Sequence, residues 1–244
     1  MRRALLVAAC VAALVSSAAL AAGRTGDRTK LTVYAAASLT DVLPKIDATQ
    51  RYSFGGSNAL ATQIGQGAPA DVFLSANTAI PQQLFEQGLV GKPVVFTRNA
   101  LVLIVPRSNP AGIHSVFDLR KPGVKLDVAA PGVPVGDYTR TVLHNLGLDD
   151  VLANVVSNET DVREVLAKVA LGEADAGFVY ATDARTVRGK VATIAIRRSA
   201  QPSVRYAAAV VASSTHRAAA RGFVARLLGR MAQRKLRAAG FLPR

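Results

Sequence analysis

Four places in this chain put small or polar residues where a strand-like run gives way to a helix-like one. Ser38 follows the run Val33-Tyr34-Ala35-Ala36-Ala37, with Asp41 three residues on. Ser57 follows Gly55-Gly56 and opens a helical pattern. Pro134-Val135-Gly136 precedes a third helix, and Thr160-Asp161-Val162 starts a fourth. The first turn of a helix carries backbone N–H groups without intrahelical partners and a partial positive charge, so each start can hold an anion. A single serine at a helix start is ordinarily a cap worth about 1 kcal/mol, and Gly55-Gly56 alone also fits a tight turn. Asp41 and Asp161 are expected to serve as cap partners facing away, because a carboxylate aimed at a bound anion would repel it.

Other chemistries find few residues to work with. His114, His144 and His216 are the three histidines, on a loop and two helices, with no metal-ligand or triad spacing. Ser38 and Ser57 lack an evident base, and no nucleophile-elbow motif is present. The expectation is a protein that is not an enzyme.

The elements that must position these junctions alternate along the chain. Strand-like runs cover 31–37, 51–54, 70–76, 100–105, 125–129, 155–157, 176–179, 191–196 and 204–212. Helical patterns lie between most of them, and a basic helix ends the chain. Such alternation implies an α/β fold of mainly parallel sheets covered by helices. In open sheets of this kind ligands collect at the carboxyl ends of the strands, where the four junctions fall. The turns near Pro106 and Pro202 are the candidate crossings between two lobes. The 244 residues suffice for two small lobes with buried cores.

The first 22 residues read differently. Met1-Arg2-Arg3 is a basic start, 4–15 is apolar, and 16–22 holds the small-x-small pattern of a signal-peptidase site. A secretory signal peptide over 1–22 is expected, hence a periplasmic or other extracytoplasmic location. Cys10 is the single cysteine. The sequence around it resembles a lipoprotein cleavage box, but apolar residues follow where a polar tether belongs, so lipid anchoring there is not expected. A mature chain without Cys10 has no thiol for disulfides, thiolate catalysis or metal ligation.

The formal net charge is +14, and losing Arg2 and Arg3 lowers it to +12. Such an excess suits an anionic partner. Part of it is a solvated surface: 217–244 holds eight basic residues and no acid. Arg217, Arg221, Arg226, Arg230, Arg234 and Arg237 recur at helical spacing and should form one exposed stripe. With no recognition motif or aromatic platform, nucleic acid is not an expected partner.

The residues then become specific. Leu31-Thr-Val-Tyr-Ala-Ala-Ala-Ser38-Leu-Thr-Asp41, Ser57-Asn-Ala-Leu-Ala-Thr-Gln-Ile64 and Gly67-Ala-Pro-Ala-Asp-Val-Phe-Leu-Ser-Ala76 resemble the periplasmic molybdate-binding proteins of ABC transporters. Asn99-Ala-Leu-Val-Leu-Ile-Val-Pro106, Pro131-Gly-Val-Pro-Val-Gly136, Asp161-Val-Arg163 and Gly177-Phe-Val-Tyr180-Ala-Thr-Asp183-Ala follow in the family's order. The resemblance implies a two-lobed periplasmic-binding-protein fold, type II-like, with lobe I over 30–103 and 206–244 and lobe II over 104–205. It implies a binding site of Ser38, Ser57, Val135, Val162 and Tyr180. The serines would offer hydroxyl and N–H groups, the valines backbone N–H groups, and Tyr180 its phenol.

The implied ligand is molybdate or tungstate, with molybdenum bound only as the oxyanion and no cofactor. The implied partners are the permease and ATPase subunits of an ABC transporter, the protein itself being a monomer. The alternative is another oxyanion such as sulfate, or a small organic anion. Molybdate carries no proton at neutral pH, so its oxygens only accept hydrogen bonds and the site needs donors, not carboxylates. Two departures from the family stand out: the stretch from Ser38 to Ser57 is short, which trims the first helix, and Val135 replaces a smaller residue. Tyr180 also reads as a buried tyrosine with a local hydrogen-bond partner.

Overall fold

The computed structural model describes residues 29–244. The signal-peptide reading over 1–22 and the lipidation reading at Cys10 lie outside the described residues.

The elements run β1 (Thr32–Ala36), α1 (Leu43–Ile46), β2 (Arg51–Gly55), α2 (Ser57–Gly65), β3 (Val72–Ser75), α3 (Ala79–Glu86), β4 (Val94–Arg98) and β5 (Leu101–Pro106). They continue with β6 (Leu126–Ala129), α4 (Pro134–Leu146), β7 (Val155–Glu159), α5 (Val162–Leu171), β8 (Ala176–Tyr180), α6 (Ala181–Thr186), β9 (Val191–Ala195) and β10 (Arg205–Val210). The helices α7 (Arg217–Leu228) and α8 (Arg230–Ala239) close the chain. A 3-10 turn at Ala37–Leu39 leads from β1 towards the four-residue α1, in keeping with a trimmed first helix.

Two five-stranded sheets form, ordered β2-β1-β3-β10-β4 and β7-β6-β8-β5-β9. In the first, β2, β1 and β3 pair in parallel and β10 runs antiparallel between β3 and β4. In the second, β7, β6 and β8 are parallel and β5 runs antiparallel between β8 and β9. Each sheet therefore has one reversed strand, and in each case it is the strand that enters after the chain crosses from the other sheet. The central strands are buried on both faces, as helix-covered parallel strands must be. Every residue of β3 and β8 is buried, which is why both read as apolar runs.

The first crossing differs from the expected place near Pro106. All of β5 pairs within the second sheet, Pro106 included, opposite Val191. The first crossing is therefore Asn99-Ala100, and the expected boundary between 103 and 104 would cut a strand. Proline ends no pairing here because its missing N–H falls at the strand's last position. The return crossing lies between β9 and β10, around Pro202. β4 was not anticipated from the sequence, and its Val94 and Arg98 remain exposed. The C-terminal helix is also two helices, because Gly229 adopts extended backbone between them.

Tyr206 on β10 sits at the junction of the lobes. Its ring meets Phe96 and Phe241 of the first lobe and Tyr180 of the second edge-on, with centroids 5.5 to 6.2 Å apart. Such contacts contribute about 0.5–1.5 kcal/mol each beyond area burial.

Candidate functional site

The carboxyl ends of β1, β2, β6, β7 and β8 face one another across the gap between the sheets. A cavity of about 20 Å3 lies there. It is lined by all five residues implied above, Ser38, Ser57, Val135, Val162 and Tyr180, which are only 1 to 4% exposed. A water needs roughly 10–15 Å3 and an organic ligand a pocket of several hundred. So small a space suits a small inorganic ion better than a sugar or a nucleotide.

Each lobe brings its donors differently. Ser57 is the first residue of α2, after the N-cap Gly56. Its Oγ accepts the Ala76 N–H at 3.1 Å, which leaves its own proton to donate. Ser38 lies in the 3-10 turn after β1, with its Oγ 2.8 Å from the Tyr206 hydroxyl. Asn99 Nδ2 donates to that same Tyr206 oxygen at 3.4 Å. With Tyr206 donating in turn to Ser38, the Ser38 proton is also left for the cavity. Burial pushes the Tyr206 phenol well above its ordinary pKa, so it keeps the proton this arrangement needs.

In the second lobe, Val135 and Val162 occupy the second and first positions of α4 and α5. Their side chains are buried, and their amides fall in the first helical turn, which has no intrahelical acceptors for them. Asp161 caps α5 by accepting from the Arg163 and Glu164 amides at 2.6 and 3.3 Å, leaving the Val162 amide free. This is the cap role expected of Asp161, although its residue also lines the cavity. Burial raises the Asp161 carboxyl above its ordinary value.

Asp41 departs from expectation. It caps no helix and instead accepts from Arg163 of the opposite lobe. The cap is unnecessary because the 3-10 turn carries the chain into α1 by backbone bonds, Thr40 and Val42 donating to Ala37 and Leu39.

Tyr180 is fully buried at the end of β8, and its hydroxyl has no hydrogen-bond partner among the described residues. The reading of Tyr180 as a tyrosine with a local partner is therefore not met. A buried hydroxyl left without a partner costs about 1–3 kcal/mol. Burial also raises its pKa well above the ordinary value, so the phenol remains a donor.

The lining contains no lysine or arginine. What it offers is a ring of neutral donors: two hydroxyls, a phenol and helix-start amides. No histidine lines it, and among the described residues no cluster of three or more His, Cys, Asp or Glu could hold a metal.

Sequence reasoning missed Gly56 as a contact residue. A Cβ there would fall 2.3 Å from the Thr160 carbonyl oxygen of the other lobe, so only glycine lets the lobes meet this closely. The Gly55-Gly56 doublet was its one visible signal. Tyr206 and Asn99 were also missed as supports of Ser38, since nothing local in the sequence marks a partner 168 residues away.

A family model described as bacterial extracellular solute-binding protein matches residues 31–242. The molybdate-binding protein ModA of Mycobacterium tuberculosis is 38% identical, over 98% of this chain and 94% of its own length. ModA of Escherichia coli is 34% identical over 80% of this chain and 82% of its own. The solved Azotobacter vinelandii periplasmic molybdate-binding protein superposes with a TM-score of 0.77 at 26% identity, covering 88% of this chain and all of that one. This chain belongs to the bacterial extracellular solute-binding proteins, in the group that includes the ModA molybdate-binding proteins.

Proposed function

We propose that this protein is the extracytoplasmic receptor of an ABC transporter, closing its lobes around one molybdate or tungstate ion and passing it to the permease and ATPase subunits. The observation that carries the reading is the partnerless Tyr180 hydroxyl facing a small cavity whose polar lining, apart from the capping Asp161, consists of donors. An ion that only accepts hydrogen bonds satisfies every one of them. Ser38 and Ser57 bind from the first lobe; Val135, Val162 and Tyr180 bind from the second. Closure moves the lobes about the crossings at Asn99-Ala100 and near Pro202. No group in the cavity is placed for catalysis, and the ion leaves as it came. The receptor works as a monomer and without a cofactor.

Phosphate, which keeps a proton at neutral pH, would need an acceptor; both capping amides engage Asp161 through Oδ1, so only its Oδ2 could serve. Thermal unfolding with molybdate, tungstate, sulfate and phosphate tests the reading. At a hundred times its Kd a ligand stabilises the fold by about 2.7 kcal/mol. Upward shifts with molybdate and tungstate are expected. The absence of both, or a larger shift with sulfate, defeats the assignment.

A further inference from the structure

Arg163 follows Val162 directly, and its side chain makes two ion pairs in opposite directions. Nε donates to Asp183 Oδ1 at 2.6 Å within the second lobe. A terminal nitrogen donates to Asp41 Oδ2 of the first lobe at 2.5 Å. The Asp183 side chain is completely buried, whereas that of Asp41 keeps 47% of its exposure. The inner pair thus fixes the guanidinium in its own lobe, and the outer pair spans the cleft. Among the described residues this is the one ion pair that joins the lobes. Neither Asp41 nor Arg163 lines the ion cavity.

We propose that Asp41 and Arg163 are a positioning pair that holds the cleft shut over the bound ion and so sets how long the ion stays. This rests on the receptor reading above. The planar guanidinium suits the task because its fork can meet two carboxylates at once. Asp183 keeps it in place whether the cleft is open or shut, so closing orders only the Asp41 side chain. Asp41 is half exposed and returns to water when the lobes part. A bond made only after closure changes dissociation and leaves capture alone.

The test uses the mature chain and sodium molybdate in stopped-flow measurements. Asp41→Asn should release molybdate about two- to fivefold faster, the range for a partly exposed ion pair, with an unchanged association rate. Asp41→Glu should restore much of the loss. Rising salt should speed release from the wild type and barely affect Asp41→Asn. Arg163→Gln alone would strand the buried Asp183 carboxylate, so it is made together with Asp183→Asn. That double variant should match Asp41→Asn, and adding Asp41→Asn to it should change nothing further. An unchanged release rate in Asp41→Asn overturns the proposal.

A second readout does not depend on molybdate. The described residues contain no cysteine, so spin labels at Gln87→Cys and Glu173→Cys, one exposed position on each lobe, report the lobe separation of the ligand-free protein. If the wild type binds no molybdate, the receptor reading fails on that result. The pair is then judged by the label distances alone. A shift towards open separations in Asp41→Asn upholds it, and identical distributions overturn it.

Discussion

The two lobes share one topology but meet the cavity with different chemistry. The first lobe offers side chains: Ser38 and Ser57, each hydroxyl held from behind by Tyr206 or the Ala76 amide. The second offers mostly backbone: the amides of Val135 and Val162, whose aliphatic side chains are buried in the core, and the Tyr180 phenol. A hydroxyl donor can be lost by removing one atom. An amide donor survives every substitution but one, because only proline lacks the N–H. The amides of Val135 and Val162 are therefore robust to side-chain change, whereas the serine hydroxyls and the Tyr180 phenol are not.

The largest effect is expected where the lobes touch. Gly56→Val should force the α2 start away from the Thr160 carbonyl, prevent full closure and weaken molybdate binding by roughly a hundredfold or more. That corresponds to the loss of at least one charged hydrogen bond of about 1.5–3 kcal/mol together with closure. Titration calorimetry reads it, and unchanged affinity would mean that the lobes need not meet here.

The contrast between amide and side chain is sharpened at Val162. Val162→Pro should keep the helix start, since proline suits the first helical position and Asp161 already has extended backbone. It removes the N–H, so affinity should fall about tenfold to a hundredfold. Val162→Ala should stay within a few-fold. Equal losses in the two variants would show that the side chain, not the amide, matters.

Tyr180→Phe splits stability from binding. Removing the partnerless hydroxyl should stabilise the ligand-free protein by about 1 kcal/mol or more, seen as a raised Tm, while molybdate affinity falls. A lowered Tm would mean that the hydroxyl has a partner in the free protein.

A further contrast separates the lobes by pH. β1 and β6 occupy equivalent places in the two sheets, yet only β6 buries a carboxyl, that of Asp127. Burial first, and the nearby Glu159 second, push its pKa from 3.8 to about 7. Glu159 stays below its ordinary value: burial works to raise it, but hydrogen bonds from Lys168 and Ser157 outweigh that. The folded chain holds the Asp127 proton to higher pH than the unfolded chain does. Its stabilising contribution is complete below about pH 4 and is lost as pH rises through about 7. Asp127→Asn should flatten the stability profile over that window in denaturant titrations, and an unchanged slope would count against the buried carboxyl as its source.

The same division between side chain and backbone explains what could be read in the sequence. The strand–helix rhythm announced the α/β fold, since buried parallel strands such as Val72–Ser75 are apolar runs. Ser38 and Ser57 were visible because a hydroxyl at a helix start is a side-chain signal. Val135 and Val162 carry no such side-chain signal, because every non-proline residue has an amide; their helix starts could be read in the sequence, but only resemblance to a family singled out these two amides. β4 was hidden because Val94 and Arg98 are exposed and its pairing with β10 joins residues more than a hundred positions apart. The break at Gly229 was masked by arginines that keep their helical spacing through it. Asp41 was read from its position near a helix start, while its partner lay 122 residues on.

The cavity between the lobes is small, about 20 Å3. A vessel of that size also counts. On the proposed reading each opening delivers a single unit, so the stoichiometry of uptake would be fixed at the receptor before the transporter acts. Flux then becomes a number of lobe openings per second, and a crowded exterior can fill the queue without enlarging the dose.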